Sequence, residues 1–216
     1  MSRLRTKKRE LLDWEAMYRR GTPPWETGRP SPELIRIIAE QTIRPGSALE
    51  LGCGTGANAI YLSQNRVDVT AVDASPLALE RARLRCEEAG GLVHFVLADV
   101  YDFAKNAGRF DLVFDVGFYH FARDGQLERF LDMLWWVTQP GSYYLTLAGA
   151  VGGPPEDGGP PQVSEETIRS ELGRLFEFVH LRPIRFQSPL REEGFPGWSC
   201  LMRRPAPGGP LPDRVG

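Results

Sequence analysis

The residues best placed for chemistry sit where short apolar runs end. Residues 48–56, Ala-Leu-Glu-Leu-Gly-Cys-Gly-Thr-Gly, lead from one such run into Gly52, Gly54 and Gly56. Glycines at this spacing let the backbone turn sharply and let a ligand approach with no Cβ atoms in the way. Glu50 lies inside the run: beside a pyrophosphate its charge would repel, whereas beside a cationic sulfonium amino acid it attracts. Asp73 ends the next run twenty-three residues on, with Ala74 after it, and a carboxylate there accepts hydrogen bonds from both hydroxyls of a ribose. Asp99 and Val100 end the third run, where Asp99 can accept from the N6 amine of adenine. Gly52, Gly54 and Ala57 also satisfy the dinucleotide pattern G-x-G-x-x-A, so glycine spacing alone leaves an NAD-binding oxidoreductase open. That alternative calls for a Lys or Tyr-x-x-x-Lys proton donor, which is not found; a non-catalytic nucleotide-binding module on the same scaffold is a further alternative.

Two other groups of residues bear on reactivity. Asp115-Val116-Gly117-Phe118-Tyr119-His120-Phe121 follows the fourth run and is expected to form the floor and wall of an acceptor pocket, with Phe118, Tyr119 and His120 lining it. His120 is the candidate general base, because imidazole titrates near neutrality; packed between Tyr119 and Phe121, it reads equally as a structural residue. His94 and His180 lie in apolar runs and read as structural. Near the N-terminus, Trp14 and Tyr18 share a helical stripe and Trp25 follows on a Pro-rich loop, so flat rings can close over a cation. Arg29 can clamp an anionic acceptor or pair with Glu26. No His, Cys or carboxylate cluster has the spacing of a metal site, so no metal is expected.

The elements that position these residues follow from periodicity. Leu11, Leu12, Trp14 and Tyr18 form a helical stripe that Gly21, Pro23 and Pro24 stop. A second helix opens with Ser31 as N-cap and Pro32 in its first turn, and ends before Pro45-Gly46. Strand and helix then alternate: strands over 47–51, 67–72, 93–97, 111–116 and 142–148, helices over 56–64, 76–89, 126–137 and 164–176. This rhythm predicts a doubly wound α/β fold, a mostly parallel sheet with helices on both faces. Two last strands, near 179–186 and 199–203, have no helix between them and should pair antiparallel through Gly194-Phe195-Pro196-Gly197.

The 216 residues suit one domain, 1–204, with residues 1–45 as an N-terminal helical lid and 205–216 as a disordered tail. With 26 basic and 28 acidic side chains the net charge is -2, giving no field that would draw the chain onto nucleic acid or anionic membrane. No 18-residue apolar run is present, and the basic N-terminus lacks the apolar stretch of a signal peptide. Cys53, Cys86 and Cys200 show neither disulfide nor zinc spacing, which suits a reducing cytoplasm. A small-molecule substrate and a monomeric chain fit this composition. Gly and Pro, 23 and 18 residues, concentrate in the glycine turn, the aromatic entrance, the tail and the 149–161 loop, an expected acceptor lid.

Taken together, the motifs resemble the class I S-adenosylmethionine-dependent methyltransferases over about residues 10–204. Trp14-Glu15-Ala16-Met17-Tyr18 with Thr22-Pro23-Pro24-Trp25-Glu26-Thr27-Gly28-Arg29-Pro30 looks most like the opening of the thiopurine, thiol and halide group and of related tellurite-resistance methyltransferases. The plant-type members carry three tryptophans at this spacing; here the middle one is Tyr18. The resemblance implies a Rossmann-like, seven-stranded sheet with an antiparallel last strand. It implies S-adenosyl-L-methionine as cofactor, leaving as S-adenosyl-L-homocysteine, held by Trp14, Tyr18, Trp25, Glu50, Gly52, Gly54, Asp73, Ala74, Asp99 and Val100. Asp115 is read as holding either the methionine amino group or the loop backbone. The expected reaction is in-line methyl transfer to a small acceptor through sulfur, oxygen or another soft nucleophile.

Overall fold

The computed structural model describes residues 14–21, 23–152, 161–188 and 191–206. Leu11 and Leu12, the middle of the 149–161 loop and most of the C-terminal tail lie outside them. Five strands, β1 (Ser47–Leu51), β2 (Asp68–Asp73), β3 (Val93–Leu97), β4 (Leu112–Val116) and β5 (Tyr143–Ala150), run parallel in the order β3-β2-β1-β4-β5. A two-residue strand, β6 (Gln162–Val163), pairs with the end of β5. β7 (Glu177–Ser188) forms the far edge, and β8 (Arg191–Arg203) slots antiparallel between β5 and β7. The expected parallel sheet with one reversed strand is therefore what the chain builds.

Successive side chains point to opposite faces, and in β1, β4 and β5 both faces are buried, so each of these strands feeds two layers. Leu49, Leu51 and Val113 enter one hydrophobic layer with Phe130, Leu134 and Tyr144; Ala48, Leu112 and Phe114 enter the other with Leu34, Leu62 and Leu79. The first layer lies under α5 (Val100–Ala104), α6 (Tyr119–Val137) and α7 (Glu165–Leu172); the second under α2 (Pro32–Ala39), α3 (Ala57–Gln64) and α4 (Pro76–Glu88). Each fully buried Leu, Ile or Phe contributes about 1.5–3 kcal/mol, so the two layers supply the fold's driving force. Ser31 caps α2 by accepting the Glu33 amide, as its sequence indicates. Ser75 and Ser164 cap α4 and α7 in the same way.

Three local expectations are corrected. The reversal between β7 and β8 falls between Ser188 and Arg191, so Gly194-Phe195-Pro196-Gly197 is ladder rather than turn. Gly194, at φ +67°, sits at a register shift where a Cβ would come within 2.0 Å of the Phe186 carbonyl, and Pro196 falls just beyond the last residue of β8 that pairs with β5. α6 starts at Tyr119, not Gln126, with a non-helical break at Asp124–Gln126. α5, only five residues long, was invisible to a periodicity argument.

Candidate cofactor and acceptor site

The glycine turn sits at the carboxyl end of β1 and is sewn to β2. The amides of Gly52 and Cys53 both donate to the Val72 carbonyl, at 2.9 and 3.0 Å. Gly52, Gly54 and Gly56 all have positive φ, the left-handed region in which a Cβ is strained. At Gly54 a Cβ would also lie 2.8 Å from the Tyr18 hydroxyl. Asp73 ties this turn to the next: one carboxylate oxygen accepts the Gly54 amide and the other the Ser75 amide, both at 2.8 Å. Burial raises the Asp73 pKa, opposed by those amides. Ala74 is exposed beside it.

Glu50 faces α3 from within the sheet and is 2 % exposed. Asn58 donates to its Oε1 at 3.1 Å, while Oε2 has no hydrogen-bond partner. Burial first, then the like charges of Asp73 and Glu26, push its pKa up to about 8.

The N-terminal arm closes over this turn. Trp14 stands edge-on to Trp25 at 5.3 Å and to Phe121 at 5.0 Å; the Trp25 indole N–H donates to Tyr18 at 3.3 Å. Tyr18 is fully buried, Trp14 half-buried and Trp25 exposed. Two carboxylates that the motif reading passed over pin the arm down. Glu15, in α1 (Trp14–Arg19), accepts from the Ser75 hydroxyl at 2.5 Å, and Glu26 accepts from the Thr55 hydroxyl at 2.6 Å. Arg85 lies 3.7 Å from Glu26 and donates to Thr55. Both acids stand beside the tryptophans in the aromatic motif, but their partners are twenty-nine and sixty residues away, which no local pattern reveals.

The residues after β4 behave differently from expectation. Asp115 is wholly buried and accepts four hydrogen bonds: the amides of Phe118 and Tyr119 at 2.8 and 3.0 Å, and the hydroxyls of Tyr144 and Thr146 at 2.7 and 3.2 Å. Of its two readings, it holds the loop backbone. Burial lifts its pKa to about 6 against the pull of those donors. Tyr119 is a correction: its ring packs on Phe130 in the core and its hydroxyl donates to Glu171 at 2.6 Å, so it does not line a pocket. Phe118 lies over Gly52, its ring edge 3.0 Å from where a Cβ would stand. His120 is buried, and its Nδ1 accepts the Gly149 amide at 3.0 Å. In a neutral ring that bond places the proton on Nε2, the tautomer in which Nε2 cannot accept one.

Asp99 is exposed and caps α5 by accepting the Tyr101 amide at 2.8 Å, with Arg129 at 3.8 Å; Val100 beside it is buried. Arg29 is exposed, and Glu26 pairs with Arg85 rather than with it. His94 is exposed on β3, and His180 bonds Ser199 on the hairpin, away from the turn. Exposed apolar side chains stand at the carboxyl ends of three strands: Leu97 ends β3, Val116 ends β4 and Val151 follows β5. Among the described residues, no group of three His, Cys, Asp or Glu is arranged to hold a metal ion. None of their helices is long and apolar enough to cross a membrane.

Comparison with known proteins bears directly on this geometry. Residues 48–141, the glycine turn through α6, match the family model described as a methyltransferase domain. The 2-heptyl-1-hydroxyquinolin-4(1H)-one methyltransferase of Mycobacteroides abscessus is 30% identical over 165 residues, 76% of this chain and 72% of that one. The chain belongs to the class I S-adenosylmethionine-dependent methyltransferases. This methyltransferase is also 28% identical to the probable thiol methyltransferase 2 of Arabidopsis thaliana, over 78% of its own length and 75% of the relative's. In fold it resembles a structure solved for the conversion of a disulfide bond into a thioacetal group during echinomycin biosynthesis. That match has a TM-score of 0.76 at 24% identity, over 88% of this chain and 90% of the other. A methyltransferase of this class uses S-adenosylmethionine, and the residues present fit it. The buried Glu50 oxygen lacks a hydrogen-bond partner on the strand that runs into a turn of three positive-φ glycines.

Proposed function

We propose that this methyltransferase methylates a small acceptor with an apolar body, a thiol or an acidic hydroxyl that reaches the site already ionised, without a general base from the protein. The observation that carries the reading is the use made of the titratable groups after β4. Asp115 is saturated by four donors, Tyr119 is tied to Glu171, and the acceptor nitrogen of His120 is taken by Gly149. A thiol with a pKa near 8.5 needs little help to ionise. Exposed apolar side chains at Trp25, Val116 and Val151 suit an apolar body. Two relatives, named for a hydroxyquinolinone and for thiols, support the same class.

In this reading Glu50 and the glycine turn at Gly52 and Gly54 hold the methionine end of the cofactor, and Asp73 with Ala74 holds the ribose. Asp99 and Val100 hold the adenine. Bound there, the cofactor supplies an electrophilic methyl group on a sulfonium. Trp14, Tyr18 and Trp25 cover that cation, an attraction of about 0.5–2 kcal/mol, and keep water out. Phe118 and those apolar side chains align the acceptor, and alignment alone can contribute several kcal/mol, up to about 7–11. Buried, unpaired Cys53, Cys86 and Cys200 suit a reducing cytoplasm. The test is a pH profile of kcat/KM across thiols and phenols of graded pKa. We expect the rising limb to move with each acceptor's own pKa; one shared limb for every acceptor would establish an enzyme base and overturn the reading.

A further inference from the structure

Glu50 combines features that rarely coexist. Its carboxyl is taken out of water, the neutral Asn58 side chain holds one oxygen, the Ala59 backbone amide of α3 adds a weaker pull toward the charged form, and Oε2 has no hydrogen-bond partner. The charged groups facing it are of its own sign: Asp73 from β2 and Glu26 from the N-terminal arm. The Cys53 thiol of the turn feels Glu50 in its turn and is itself pushed up by burial. Arg85, the cation paired with Glu26, is also engaged by the Thr55 carbonyl. An ionised carboxylate so placed has neither solvent nor counter-charge, so the ligand-free protein keeps the proton.

We propose that Glu50 is a charge-selecting residue, which holds a proton in the ligand-free cleft and surrenders it to solvent when a cation is seated beside it. The inference rests on the cofactor reading above and adds to it. Selection follows from the proton balance. A cationic ligand meets a carboxylic acid, the O–H bond breaks, the proton leaves to buffer, and the ligand gains an ion pair in a dry site. A nucleoside without a cationic tail leaves the acid protonated and gains nothing, and a pyrophosphate would face an acid that cannot ionise without repelling it. The cleft is thus neutral at this position when empty and negative only for the right charge.

The measurement is proton release on binding, by calorimetry in buffers of different ionisation enthalpy. The ligands are S-adenosylmethionine, S-adenosylhomocysteine and 5′-methylthioadenosine. With Glu50 titrating at about 8, about 0.9 proton should leave at pH 7 with S-adenosylmethionine and none with 5′-methylthioadenosine. The dissociation constant for S-adenosylmethionine should tighten about tenfold from pH 6 to 7, a range in which the ligand's amino group stays protonated. Glu50→Gln, which copies the shape of the protonated acid, should bind without releasing a proton and without that pH dependence. Release by S-adenosylhomocysteine as well identifies the ammonium as the cation sensed; release by S-adenosylmethionine alone identifies the sulfonium. Equal release from Glu50→Gln, or from 5′-methylthioadenosine, overturns the proposal while leaving cofactor binding intact. No heat with any ligand would overturn the cofactor reading itself.

Discussion

Glu50 and Asp115 are both buried carboxyls on adjacent strands, and their surroundings give them opposite tasks. Asp115 is surrounded by donors on four sides and holds the start of α6 against β5. Glu50 has only the Asn58 side chain and the Ala59 amide of α3 to set against burial, and its Oε2 has no hydrogen-bond partner. Sequence showed that both were acids at the right strand ends, but not this division of labour. The donors to Asp115 include Tyr144 and Thr146 from β5, about thirty residues on, and only the sheet brings them near. Asp115→Asn should therefore cost about 2–4 kcal/mol, because an amide leaves buried donors unmatched and places its own NH2 among them. Urea unfolding measures this. A loss below about 0.5 kcal/mol would mean that the four bonds contribute little net.

Among the elements, the arm formed by α1 and the Trp25 loop acts as a clasp with two carboxylates on two cofactor loops. Glu26 reaches Thr55 in the glycine turn, and Glu15 reaches Ser75 beside Asp73. If the Glu26 contact works as a unit, Glu26→Ala and Thr55→Val should each weaken cofactor binding several-fold, and the double variant should be little worse than either. Simple additivity in calorimetric affinities would show the contact to be incidental. The same scale shows where periodicity read well and where it did not. Strands β1, β4 and β5 stood out because both of their faces are buried, so their apolar runs are nearly continuous. The Gly-Phe-Pro-Gly stretch misled because its composition is that of a turn, while register with Ile184, Arg185 and Phe186 makes it ladder. The first turn of α6 was missed because its aromatic residues read as pocket wall.

For the molecule as a whole, raised carboxyl pKa values set a direction in pH. A group whose folded pKa lies above its unfolded value binds more protons in the folded state, so stability falls as pH rises between the two. Glu50 spans the ordinary glutamate range up to about 8, and Asp115 up to about 6. His180, whose pKa is lowered by burial, works the other way, and its effect fades above pH 7 as the unfolded imidazole also loses its proton. The ligand-free protein should therefore melt at a lower temperature at pH 8 than at pH 7. Glu50→Gln should flatten that difference; an unchanged difference in scanning calorimetry would place the cause elsewhere.

Among the described residues, the ladder that ends at β7 leaves one side of that strand unpaired. Pro183 in the middle of it has no amide proton to offer, and Arg185 two residues on adds a positive charge, while Arg182 is already paired with Glu33. A second copy approaching edge to edge would meet an interrupted row of donors and mutual repulsion. The strand that completes the sheet thus also guards it against runaway association. Pro183→Val should raise light scattering in concentrated solution without altering the affinity for cofactor.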